Sequence, residues 1–219
     1  MSTRRPDKRE LARKYDRGAA TYRERFADPD AIAQRQVDLV RGWGVPVSPG
    51  ARILELGCAD GVVTEGLARA GYHVTAVDLS SEMVSTARHR LVSAGLSADV
   101  AVADVERLPF DEPFDAVLAV MRAFFSYVPE PQPVLERLRE LSRGKVLVDA
   151  NPRTHPRFAC EGALRAAGFG SVAWRASFVP QGRRSGPVVG PVLRAAERVP
   201  GVRDAILQRK FSVILKGED

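Results

Sequence analysis

Cysteine, histidine and methionine are scarce in this 219-residue chain, with two, three and three copies. The cysteines, Cys58 and Cys160, lie far apart, outside any C-x-x-C spacing and away from a histidine cluster, which argues against a disulfide framework and a structural zinc site. No grouping of acidic and histidine residues has metal-ligand character, so no metal is expected. Long apolar runs are missing too. None approaches the ~18 residues of a membrane span, and Met1-Ser2-Thr3-Arg4-Arg5-Pro6 lacks the apolar core of a secretory signal. The expectation is a cytoplasmic protein with no membrane span. Repeats and low-complexity stretches are absent as well.

Positive charge is in excess, +6 at pH 7 with a pI near 9.7. Arginine far outnumbers lysine, and basic residues are spread along the whole chain. Only Arg4, Arg5, Lys8, Arg9, Arg13, Lys14 and Arg17 are locally concentrated, and Asp7, Glu10 and Asp16 interrupt them. A dispersed excess reads as a solvated surface rather than the contiguous footprint that phosphate neutralisation requires, so nucleic acid is not the expected partner. With 45% hydrophobic residues the chain is long enough for one well-buried domain and short for two.

After the polar start, a helix is expected from Ala31 to Trp43, before Gly42, Gly44, Pro46, Pro49 and Gly50 break the pattern. Strand and helix then alternate. The strands are expected at Arg52–Leu56, His73–Val77, Asp99–Ala103, Phe114–Val120 and Lys145–Asp149, with closing strands at Val172–Val179 and Phe211–Lys216. The helices are expected at Val62–Ala70, Ser81–Ala94, Pro131–Leu141 and Phe158–Ala167, with Ser80 and Ser81 placed to cap the second. The run Phe114 to Val120 is nearly all apolar, as a parallel strand covered on both faces needs. The fold class is therefore α/β with a doubly wound, Rossmann-like sheet.

The segment Ile53-Leu54-Glu55-Leu56-Gly57-Cys58-Ala59-Asp60-Gly61 carries the most information. It reads as a buried strand running into a small-residue turn and then a helix, the arrangement that builds a nucleoside pocket at the edge of an open sheet. Gly57 and Gly61 permit backbone conformations closed to other residues, and the following helix offers free amides at the turn. Asp78 ends the next strand about twenty residues on, where a carboxylate can accept hydrogen bonds from both hydroxyls of a ribose. A dinucleotide site would use G-x-G-x-x-G facing a pyrophosphate. Here the order is Gly57-x-Ala59-x-Gly61 preceded by Glu55.

That spacing resembles the first motif of the class I S-adenosylmethionine-dependent methyltransferases, small-molecule type, and the resemblance extends from about Ala51 to the C-terminus. It implies a seven-stranded sheet of order 3-2-1-4-5-7-6 with strand 7 antiparallel. It implies S-adenosyl-L-methionine as cofactor and S-adenosyl-L-homocysteine as product, held by Tyr22, Glu55, Gly57, Cys58, Ala59, Gly61, Asp78, Leu79, Asp104, Val105 and Met121. In this comparison Asp78 takes the ribose, Leu79 the adenine face, Asp104 the adenine amino group, and Val105 packs against the ring. Residues 1–45 resemble the N-terminal helical cover of such enzymes, leaving 46–219 as the core, with a lid-like segment at 180–207.

Methyl transfer from a sulfonium needs nucleophile and methyl group held in line, and this positioning alone is worth up to ~7–11 kcal/mol. No universal catalytic side chain follows from the cofactor. Acceptor-binding candidates are Tyr15 in the cover and Arg122, Phe125 and Tyr127 after strand four: aromatics that can wall an apolar acceptor and one cation that can meet a carboxylate or phosphate. His155, just past strand five, is the candidate general base. The exocyclic-amine DNA enzymes carry an N-P-P-Y or D-P-P-Y loop where this chain reads Met121-Arg122-Ala123-Phe124, and no cysteine is placed for cytosine C5 chemistry. The expected activity is therefore methylation of a small organic acceptor, oxygen before nitrogen, in bacterial secondary or isoprenoid/lipid metabolism. An RNA or nucleoside methyltransferase and a non-catalytic cofactor-binding partner protein are the alternatives.

Overall fold

The computed structural model describes residues 7–26, 28–43, 45, 50–120, 124–151, 154–177 and 212–218. Seven strands form one sheet: β1 (Arg52–Leu56), β2 (His73–Asp78), β3 (Asp99–Val102), β4 (Ala116–Ala119), β5 (Val146–Ala150), β6 (Ser171–Ser177) and β7 (Ser212–Glu218). Their order is β3-β2-β1-β4-β5-β7-β6, with β7 antiparallel to both neighbours, as the resemblance implied. The helices are α1 (Lys8–Asp16), α2 (Pro29–Gly42), α3 (Val62–Arg69), α4 (Ser81–Ser93), α5 (Phe124–Tyr127), α6 (Pro131–Glu140) and α7 (Arg157–Ala166), with a 3-10 turn at Ala19–Arg25.

Period-two alternation along the strands divides the core. Leu54, Leu56, Val117, Val146 and Val148 pack with Leu135 and Leu138 of α6 and Leu164 of α7 on one face. Ile53, Val74, Leu118 and Leu147 pack with Leu67 of α3, Leu91 of α4 and Val40 of α2 on the other. A sheet covered on both sides leaves its carboxyl edge as the place for a ligand.

Several bounds differ from the sequence reading, each for a local reason. Strand β4 is shorter, because Phe114 bridges Ser142 in the turn after α6 instead of joining the main ladder. Helix α2 starts at Pro29, since Asp28 caps it by accepting from the Ala31 amide, and Pro29 needs no donor at the first position. Strand β7 runs on to Glu218, which pairs with Ser171.

Helix α1 is new. Asp7 caps the helix by accepting from the Arg9 amide (2.9 Å), Glu10 lies in its first turn, and Arg13 and Lys14 lie in its last. The short α5 is new as well. Residues 178–211, which include the expected lid at 180–207, lie outside the described residues.

Candidate active site

The turn after β1 is stapled to the neighbouring strand. Gly57 and Cys58 both donate backbone N–H to the Val77 carbonyl, at 2.8 and 3.1 Å. The chain then passes through Ala59 at φ +47° and Gly61 at φ +82°. A side chain at Gly61 would bring its Cβ within 2.9 Å of Ala87 Cβ, so α3 and α4 approach each other here only because the residue is glycine. Asp60 faces Arg90 of α4 at 3.4 Å, tying the turn to that helix.

Asp78 closes the arrangement. Its Oδ2 accepts from the Ala59 N–H and its Oδ1 from the Ser80 N–H, both at 2.9 Å. The carboxylate is thus fixed in orientation by amides on opposite sides, while each oxygen keeps a lone pair for a ligand. Burial raises its pKa, and the amides of Ser80, Ala59 and Leu79 pull the other way by favouring the charged form. The sequence marked Asp78 as a ligand for ribose; its second role as a brace for the Gly57–Gly61 turn comes from the structure.

A cleft of about 920 Å³, its open mouth included, lies along this edge. Of the residues expected to hold the cofactor, Tyr22, Gly57, Ala59, Asp78, Leu79, Asp104 and Val105 line it. Glu55, Cys58 and Gly61 are not among its lining residues. Glu55 is buried, with the Thr64 hydroxyl donating to its Oε2 (2.6 Å); burial pushes its carboxyl up to about 8, against the pull of that hydrogen bond. Cys58 is buried too, and burial raises its thiol well above the ordinary value, so it is not a nucleophile. Met121 lies outside the described residues, as does Arg122.

Among the acceptor candidates, Tyr15 and Tyr127 both line the cleft and their hydroxyls share a 2.5 Å hydrogen bond. Burial, reinforced by Tyr127, raises Tyr15 far above the usual phenol range, so this hydroxyl stays protonated. Tyr22 stands edge-on to Tyr15, with ring centroids 6.3 Å apart. Phe125 is packed into the core, its ring 5.1 Å from Phe124, which does line the cleft. His155 lies behind Phe125 at 6.0 Å, its Nδ1 2.9 Å from Thr154 Oγ1, and is not among the residues lining the cleft. Burial lowers its pKa and so favours the neutral imidazole.

Within the expected N-terminal cover, sequence reading named Tyr15 but missed Lys8, Leu11 and Ala12, which α1 also brings to the cleft. The signal was there as a helical i, i+3, i+4, i+7 stripe, masked by the charged residues between. Lys8 binds Asp104 Oδ2 at 2.5 Å and Glu106 Oε2 at 2.8 Å. Burial works against the charge on Asp104, but the Lys8 ammonium and the Glu106 amide outweigh it and hold the carboxyl below its usual range.

The profile of the methyltransferase-domain family matches residues 53–144, the stretch that includes the turn, Asp78 and Asp104. Residues 53–144 match a methyltransferase domain. Members of this family use S-adenosylmethionine, the cofactor the motif implied. A ubiquinone biosynthesis O-methyltransferase of Xylella fastidiosa strain 9a5c is 35% identical over 114 residues, covering 50% of this chain and 45% of that protein. Its counterpart in strain M23 is 29% identical over 166 residues, 64% of each chain. The chain thus spans about half the length of the first of these relatives.

Solved structures share the fold of the methyltransferase domain. A magnesium protoporphyrin IX methyltransferase from Synechocystis PCC 6803, crystallised with bound S-adenosylmethionine, superposes with a TM-score of 0.66 at 18% identity, over 100% of both chains. The [4+2]-cyclase SpnF superposes at 0.69 with 22% identity, over 98% of this chain and 96% of that one. The described residues hold no group of three or more histidine, cysteine or acidic side chains able to bind a metal ion, and no helix among them is long and apolar enough to cross a membrane.

Proposed function

We propose that this chain is an S-adenosylmethionine-dependent methyltransferase acting on a small organic acceptor, oxygen before nitrogen, in bacterial secondary or isoprenoid/lipid metabolism. One observation carries the reading: the latched Asp78, the Gly57–Ala59 backbone and Asp104 converge on one cleft, within the segment matched by the methyltransferase profile. The oxygen preference draws on the names of the relatives.

The residues present fit the cofactor. Asp78 would take the ribose hydroxyls, Leu79 and Val105 the adenine faces, Asp104 the exocyclic amine, and the Gly57–Ala59 backbone with Tyr22 and Met121 the methionine end. When bound, the cofactor supplies a methyl group already activated on a sulfonium. The chain's own contribution is to orient and to exclude water. The helices within residues 1–45 serve as the cover over the core of 46–219, and Tyr15 and Tyr127 wall the acceptor side with their paired hydroxyls. Phe125 backs that wall through its contact with Phe124. His155, whose neutral form burial favours, is the proposed acceptor of the substrate proton, although it sits beside Phe125 and does not line the described cleft.

The test is incubation with S-adenosylmethionine and a panel of catechols, phenols, carboxylic acids and amines, reading both S-adenosylhomocysteine and the product mass. Methylated phenols with stoichiometric S-adenosylhomocysteine support the proposal. The likeness to a [4+2]-cyclase motivates a second reading, because a cycloaddition moves no methyl group. A substrate rearranged at unchanged mass, with no S-adenosylhomocysteine formed, would favour that reading.

A further inference from the structure

Helix α1 is held over the cleft differently from the helices of the core. None of its residues is fully buried, whereas α2 buries five. Polar contacts fasten it at both ends instead. At its first residue, Lys8 bridges Asp104 and Glu106 in the loop after β3. At its last, Asp16 Oδ1 accepts from the Ser80 hydroxyl at 2.6 Å and from the Glu82 amide at 3.3 Å. That places an anion at the N-terminus of α4, where free amides and the helix dipole favour it. Nine residues of helix span ~13 Å, enough to bridge the end of β2 beside Ser80 and the loop after β3 that carries Asp104. Between the fastenings, Leu11, Ala12 and Tyr15 face the cleft.

We infer that Lys8 and Asp16 are positioning residues forming a two-ended ionic clasp that keeps α1 over the nucleoside end of the cleft and sets how long the cofactor stays bound. The inference rests on the cofactor reading above. An element docked by charge more than by apolar burial opens at little cost, which a buried cofactor requires for exchange. The side chains of Lys8, Asp104 and Glu106 are 33%, 24% and 19% exposed, so dissolved salt reaches the clasp and weakens it.

The experiment measures S-adenosylhomocysteine dissociation by stopped flow for the wild type, Lys8→Ala, Lys8→Arg and Asp16→Ala, at about 50 and about 500 mM NaCl. Losing two partly exposed ion pairs should speed dissociation from Lys8→Ala about 2- to 30-fold at low salt. The gap should shrink at high salt, where the wild type itself speeds up, and Lys8→Arg should stay near the wild type. Equal rates and equal salt dependence in wild type and Lys8→Ala, or Lys8→Arg as fast as Lys8→Ala, would overturn the clasp. Hydrogen exchange across residues 8–16 of the ligand-free chain tests it without the cofactor. Faster exchange there in Lys8→Ala and Asp16→Ala, with the sheet unchanged, supports it, and unaltered exchange refutes it. Failure of the wild type to bind S-adenosylhomocysteine would strike the cofactor reading and leave the exchange result to decide the clasp.

Discussion

Asp78→Asn separates the two tasks that meet at this residue. The native carboxylate accepts one backbone amide on each oxygen, Ala59 on Oδ2 and Ser80 on Oδ1. Asparagine offers one oxygen, so its amide nitrogen must face one of those N–H donors or turn away and leave the donor unpaired. An unpaired, largely buried amide costs about 1–3 kcal/mol, and this loss should appear in urea unfolding of the ligand-free protein. Binding suffers separately. The two ribose hydroxyls lose a charged acceptor worth together at least ~1.5–3 kcal/mol, which corresponds to a roughly 10- to 150-fold rise in the Kd for S-adenosylhomocysteine. Calorimetric titration at a temperature where the variant is fully folded reads the second effect free of the first. Unchanged affinity in a destabilised variant would leave Asp78 as a brace for the turn and remove it from the ribose. Unchanged stability would show that the two amides find other acceptors.

Three further variants probe the surroundings. Glu55 has its carboxyl pushed up to about 8 from an ordinary 4.5, so the folded chain holds a proton that the unfolded chain gives up. The stability this confers is fully present below pH 4.5 and is lost as pH rises through about 8. Glu55→Gln, which never ionises, should gain on the wild type steadily from pH 5 to pH 8 in urea titrations, and a constant difference across that window would refute a protonated Glu55. Gly61→Ala combines φ +82° with a Cβ 2.9 Å from Ala87, and should lower stability by about 2–5 kcal/mol in thermal or urea unfolding. His155→Ala should leave S-adenosylhomocysteine affinity intact and reduce turnover of the true acceptor by ~10²-fold or more, whereas equal turnover would return it to a loop residue packed on Phe125.

The sheet order and the cofactor edge were legible because they depend on patterns carried within single segments. The nearly continuous apolar run at Ile53, Leu54 and Leu56 specifies a strand buried on both faces, and the spacing from Gly57 to Asp78 specifies a turn and the strand end beside it. Glu55 and Cys58, expected to hold the cofactor, do not line the cleft, because a motif marks which residues the turn requires, not which way each side chain points. With side chains alternating along β1, Glu55 is buried against Thr64 of α3 instead of reaching the cleft. Lys8 and Asp16 were illegible for another reason. Their partners lie 96 and 64 residues away, and nothing in a run of charges tells a solvated arginine from a lysine closing on two carboxylates.

The same distinction explains why the cofactor is easier to read than the acceptor. Nucleoside recognition of the kind proposed uses backbone amides, strand ends and a carboxylate whose placement the sheet enforces, so its signature lies within short segments of sequence. Acceptor recognition needs only a wall that aligns a nucleophile with the methyl group, and many side chains can build one. In the proposed reading the described part of that wall comes from α1 and α5, two short helices brought together by the Tyr15–Tyr127 hydroxyl pair. Substitutions at Tyr15 and Tyr127 should therefore redistribute acceptor preference while leaving the nucleoside contacts of Asp78 in place, as competition between phenolic acceptors of different size would register.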